Sequence, residues 1–142
     1  MNDFLATVKP PFEFLTQEHG YALVYEGVSD SFDNGQLIYE SPRLRIQVTR
    51  DRSQVFVSVR ARGDYRDYDE DILRLLLAGA AHYQSPIEEA RFTVASRATF
   101  LRENLSAIER LFEPSHLKDT CLRGRSLKNE RFRALFGKRA PL

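Results

Sequence analysis

Between Arg43 and Arg62 the chain alternates polar and apolar side chains with one short interruption, and this pattern constrains the fold more than any other feature. Leu44, Ile46 and Val48 fall on one side, with Arg43, Arg45, Gln47 and Thr49 on the other. After Asp51-Arg52-Ser53 the alternation resumes, placing Val55, Val57 and Val59 opposite Gln54, Phe56, Ser58 and Arg60. A period of two belongs to a strand with one buried and one wet face. The polar break between the two runs is of hairpin length. The stretch is therefore expected to form an antiparallel hairpin whose aliphatic side must be roofed by something else in the chain.

The flanking sequence supplies candidates for the roof. Phe4, Leu5, Val8, Phe12 and Leu15 are spaced like one helical face, but Pro10-Pro11 interrupts it. The pattern predicts a frayed start and then a helix from near Pro10 to near Gly20, a residue suited to a left-handed cap. Tyr21–Glu26 and Gln36–Glu40 read as strands joined by the turn-rich GVSDSFDNG. With the hairpin they make a four-stranded antiparallel meander. After Gly63 an acidic, tyrosine-bearing segment leads into Ile72–Tyr83, apolar almost all round and expected to be a central helix. Ser85-Pro86-Ile87-Glu88 has the chemistry of a helix start. Phe92, Thr93 and Val94 weaken helical propensity nearby, so residues 86–112 are left as one helix or two.

From Val94 onward the signal is firm. Val94, Ala98, Leu101, Leu105, Ile108 and Phe112 form a narrow stripe. Fewer than three heptads are present, which favours packing within the domain over a dimerising coiled coil. Monomer and homodimer both stay open. Glu113-Pro114 ends this helix, and the rest reads as two short helices or one bent at Gly124. The expectation is an α+β fold: an N-terminal helix, four strands, then three or four helices on one face of the sheet. With 142 residues a single domain spanning 1–142 can bury a core without disulfides or metal, residues 138–142 forming a loose tail.

Charge narrows the function classes. The whole chain carries a net +1, which argues against a general nucleic-acid or acidic-mimic role. Residues 115–142 hold eight Lys or Arg against Asp119 and Glu130, a net of +6, while the remainder holds thirteen basic and eighteen acidic side chains, a net of −5. The single cysteine, Cys121, allows no internal disulfide and no multi-thiolate metal site within one chain. It reads as a small buried thiol. The first residues lack a basic stretch followed by an apolar run, and the longest apolar run, Leu75–Ala81, is too short to cross a bilayer. No membrane association is expected, and a reduced cytoplasmic location is.

Few residues suggest chemistry. His19, His82 and His116 have no metal-ligating partner at helical spacing. Neither a glycine-rich phosphate loop nor a GxSxG elbow occurs. Asp64, Asp67, Asp69, Glu70 and Asp71 alternate partly like a Ca²⁺ loop, but the sixth and twelfth positions from Asp64 hold Asp69 and Leu75 rather than Gly and Glu. Acids entering a helix are accounted for by its dipole. No catalytic residue, cofactor or metal is therefore assigned, and the chain reads as a non-enzyme. The wet hairpin face carries Arg43, Arg45 and Arg60, with Arg62 as a further candidate and Phe56 among them. QVFVSVRAR does not match the RRM signature. Arg forks suit an acidic protein partner.

The segments FEFLTQEHGYAL, LIYESPRLRIQVTRDRSQVFVSV, ATFLRENLSAIERLF and SLKNERFRALFG, in this order, resemble small bacterial α+β proteins, some of them immunity proteins encoded beside toxins. The resemblance implies a binding protein that occludes a toxin domain, and it transfers no catalytic residue. The expected function is that of a non-enzymatic interaction module, an immunity-type inhibitor or small adaptor whose partner is another protein. Its contact surface is expected to join Arg43, Arg45 and Arg60 to the acidic loop residues Tyr65, Asp67, Tyr68 and Asp69. The alternative is a nucleic-acid binder using Arg123, Arg125, Lys128, Arg131 and Arg133.

Overall fold

The computed structural model describes residues 2–29, 34–85 and 93–137. Its centre is a sheet of strands β1 (Ala22–Val28), β2 (Gly35–Glu40), β3 (Leu44–Asp51), β4 (Gln54–Ala61) and β5 (Asp67–Asp69). They lie in chain order, and every neighbouring pair is antiparallel. The α+β meander is as expected, but it has five strands rather than four. β5 comes from the segment read as an acidic loop. Three residues are too few to show a period, and pairing with β4 is what makes them a strand.

The β3–β4 hairpin follows the sequence closely. Leu44 pairs with Ala61 and Asp51 with Gln54, leaving Arg52 and Ser53 as a two-residue turn. Both have positive φ, 51° and 72°. That is the backbone of the turn whose twist matches a hairpin. Leu44, Ile46, Val48, Val55, Val57 and Val59 are all buried, the most exposed being Val55 at 8%. Each such side chain contributes about 1.5–3 kcal/mol through burial.

The inner face is roofed by α3 (Glu70–Leu77), α4 (Val94–Leu111), α5 (Pro114–Phe136) and the N-terminal segment. In α3, Asp69 caps the first turn by accepting from Ile72 N at 3.2 Å, and Glu70 and Asp71 sit at the dipole's positive end. The helix is shorter than the expected Ile72–Tyr83. Gly79 N–H donates to Leu76 O and Ala80 N–H to Leu75 O, closing it in a Schellman motif. Gly79, at φ 69°, is the left-handed residue of that motif and not a site of close helix approach.

α4 starts where the stripe starts. Thr93 and Ser96 exchange side-chain and backbone hydrogen bonds in a capping box. Ala98, Leu101, Leu105, Ile108 and Phe112 are buried in the core, and Val94 packs at its margin. The stripe is thus used inside the domain. The helix start anticipated at Ser85-Pro86-Ile87-Glu88 lies, beyond Ser85, outside the described residues. Pro114 occupies the first turn of α5, which runs as one helix through Gly124 instead of breaking there. The N-terminal segment is helical as expected, but it is divided, and the start expected to be frayed is itself a helical turn. Phe4–Thr7 is a short helix (α1), Pro10–Phe12 a 3-10 turn, and Phe14–Glu18 a second short helix (α2). Phe4, Val8, Phe12, Phe14 and Leu15 are buried, whereas Leu5 is 40% exposed. Gly20, at φ 72°, follows the end of α2 as anticipated.

Candidate protein-interaction surface

The sheet's second face carries the polar half of the alternation. The pairing register draws one continuous row across all five strands: Ala22, Glu40, Arg45, Arg60 and Asp67. Its charges run minus, plus, plus, minus. Arg60 is held by Asp67 through a two-pronged bond, Nε to Oδ1 at 2.9 Å and Nη2 to Oδ2 at 3.0 Å. Those bonds make its guanidinium even harder to deprotonate than usual. Arg45 is less well served. Its Nε lies 4.0 Å from Glu40 and is buried without a hydrogen-bond acceptor among the described residues. Glu40 is shared, with Arg62 Nη1 at 3.6 Å from it and donating to Ser41 O at 2.8 Å.

Arg45 and Arg60 therefore stand directly opposite each other on adjacent strands. Like charges in that arrangement are destabilising. Arg43, exposed in the turn between β2 and β3, adds a third arginine to the corner and Arg62 a fourth. Glu40 and Asp67 are the acids set against them. Tyr25 and Phe56 lie on the same face and are 49% and 44% exposed. The Tyr25 ring covers Gly27, filling the space a side chain there would take.

The seven residues expected to form the contact surface divide sharply. Arg43, Arg45, Arg60, Asp67 and Asp69 lie on or beside the open face. Asp69 is also committed to the fold, because it caps α3 and binds Arg131 at 2.6 Å. Tyr65 is 79% exposed in the β4–β5 turn, with the Arg66 guanidinium 5.4 Å from its ring centre. Tyr68 belongs to the core, not the surface, with 1% exposure. Alternation explains it: Asp67 and Asp69 face outward, so the residue between them pairs with Val59 and faces inward. The surface reading missed Glu40 and Tyr25, and finding them required the register of β1 and β2 on the hairpin.

The basic C-terminal segment is largely engaged in the fold. Arg123 donates to Leu76 O at 2.9 Å, Arg131 binds Asp69, and Lys128 caps Asp67 O with its ammonium 4.2 Å above the Tyr68 ring. Burial pulls the Lys128 ammonium below its ordinary range. Only Arg125 and Arg133 of the five are exposed without an ion pair among the described residues.

Cys121 is half-buried rather than buried, and it lines a different groove from His116, which contacts Arg110 O. Among the described residues no group of three or more His, Cys, Asp or Glu is placed to hold a metal ion, and no helix is long and apolar enough to cross a membrane. No family model, no curated protein and no solved structure matches this chain.

Proposed function

We propose that this chain is a protein-interaction module, of the immunity-inhibitor or small-adaptor kind, and that it docks an acidic partner on the open sheet face around Arg45 and Arg60. The observation that carries the reading is the Arg45–Arg60 pair itself. The two arginines occupy paired positions on adjacent strands, and the Arg45 Nε is buried with no acceptor among the described residues. Four arginines, Arg43, Arg45, Arg60 and Arg62, meet only Glu40 and Asp67 at this corner, and a partner's carboxylate offsets the excess charge by accepting from an exposed guanidinium fork. Tyr25, opposite Ile38, and Phe56, opposite Thr49, lie one and two cross-strand rows away on the same face with half-exposed rings, the residue types that anchor interfaces.

The nucleic-acid alternative loses support where three of its five cations are spent on internal contacts. The reading is tested by placing a benzophenone photo-crosslinker at position 56 and irradiating the source cells. A discrete protein adduct that disappears with Arg45→Ala and Arg43→Ala is the expected result. An adduct pattern unchanged by both substitutions, or identical to that from a crosslinker at position 135, refutes it.

A further inference from the structure

A second concave surface lies on the other side of the β4–β5 turn and owes nothing to the open sheet face. There the turn faces the first half of α5 across a groove of about 420 Å³. That is within the usual size range of small-ligand sites, roughly 300–1,000 Å³. Positions 118, 121, 122 and 125 are spaced three, four and seven apart, so Lys118, Cys121, Leu122 and Arg125 share one helix face. Leu117 and Pro114 extend the apolar part of the wall. From the turn, Arg66 brings a third cation.

The charge balance is one-sided. Asp64, the acid in the groove, is already used: it accepts from Tyr65 N at 2.7 Å and Arg66 N at 3.3 Å, and pairs with Arg66 Nε at 3.3 Å. Lys118 and Arg125 are exposed and make no ion pair among the described residues. Leu122 is 50% exposed between them. Apolar wall and unspent positive charge occur together along two helical turns, a combination that water satisfies poorly on one side and a simple inorganic anion satisfies poorly on the other.

We propose that this groove binds a small amphipathic carboxylate, its head between Arg66, Lys118 and Arg125 and its apolar body along Leu117 and Leu122. An Arg or Lys donor to a carboxylate is a charge-assisted bond, and Arg grips it with two parallel bonds. The apolar body adds affinity in proportion to the area it removes from water.

Cys121, the only thiol in the chain, reports on occupancy. Its rate of alkylation by neutral N-ethylmaleimide is measured in the full chain with octanoate, octanol or octylamine present, each below its micellar concentration. Octanoate is expected to protect the thiol saturably. Lys118→Glu with Arg125→Glu is expected to weaken that protection by about tenfold or more, the scale of at least one charged hydrogen bond. Arg125→Gln, a milder change at an exposed site, is expected to weaken it partially while leaving the circular dichroism spectrum unaltered. Equal protection by octanol or octylamine, or none by octanoate, overturns the proposal. So does stronger protection by hexaglutamate, which makes the groove a polyanion site. Because the sheet-face variants do not touch this groove, loss of partner capture and loss of octanoate protection are separable.

Discussion

The ring of Tyr68 occupies the space that a side chain on Gly124 would need. A Cβ placed on Gly124 comes within 3.2 Å of Tyr68 Cδ1 and closer still to Cε1. The ring is also bounded by Phe112, its centre 5.4 Å away, and by the Lys128 ammonium. Burial first, then the neighbouring Cys121, pushes the phenol well above its ordinary range. With Lys128 on Asp67 O and Arg131 on Asp69, this contact holds α5 against β5.

Gly124→Ala accordingly sets two effects against each other. Alanine in a helix interior gains about 1 kcal/mol over glycine. Forcing a methyl group against a packed ring costs about 1–3 kcal/mol. The net expectation is destabilisation in urea unfolding. In a Tyr68→Ala background the clash is gone, and Gly124→Ala is expected to become stabilising. No change of sign between the two backgrounds would show that the ring does not set the helix position.

A buried charge pair joins α3 to α4. Glu70 is 2% and Arg97 8% exposed. Arg97 Nη1 lies 3.4 Å from Glu70 Oε1 and its Nε donates to Val55 O at 3.1 Å, while Arg74 holds the other Glu70 oxygen at 2.9 Å. Glu70→Ala leaves buried cationic charge without its carboxylate and is expected to cost about 3–5 kcal/mol. Glu70→Leu with Arg97→Met is expected to cost far less than the sum of the single changes. Additive costs in a double-mutant cycle would deny the coupling.

The arginine row predicts a trade between stability and binding. Arg45→Thr removes the like-charge opposition to Arg60 and puts a good strand former in its place. Stability is expected to hold or rise by about 0.2–1 kcal/mol, while photo-capture at position 56 falls. A clear loss of stability would mean that Arg45 serves the fold.

Acid should first loosen the N-terminus. Asp3 Oδ1 accepts from Arg50 Nη2 at 2.6 Å, and that hydrogen bond holds its carboxyl below the ordinary 3.8. A lowered folded-state pKa means the contribution is whole above pH 3.8 and is lost as pH falls through the folded value. Protection of the amides of residues 4–8, taken against the exchange rate of an unstructured peptide at the same pH, is expected to fall below pH 3.8 in the native chain. Asp3→Asn is expected to flatten that dependence.

These contacts differ in how visible they are along the chain. The β3–β4 hairpin and the α4 stripe were legible because each repeats one rule over seven or more residues, so local errors cancel. The sequence leaves α5 as two short helices or one bent at Gly124, because a helical glycine normally signals weakness. Its reason for being there is the Tyr68 ring, fifty-six positions earlier. Alternation points to the arginines of the sheet face and the acidic segment to Asp67, but neither points to Glu40 or to which acid meets which arginine. Glu40 and Asp67 become their neighbours only when β2 and β5 take their places beside the hairpin.

Periodicity was enough to establish an antiparallel sheet with one aliphatic side and helices to cover it, since hydrophobic burial depends only on which residues share a face. The partnering of charges and the inward turn of Tyr68 came from folding itself. A three-residue strand has no pattern of its own, and its direction is set by the hydrogen bonds it makes to Ser58, Val59 and Arg60.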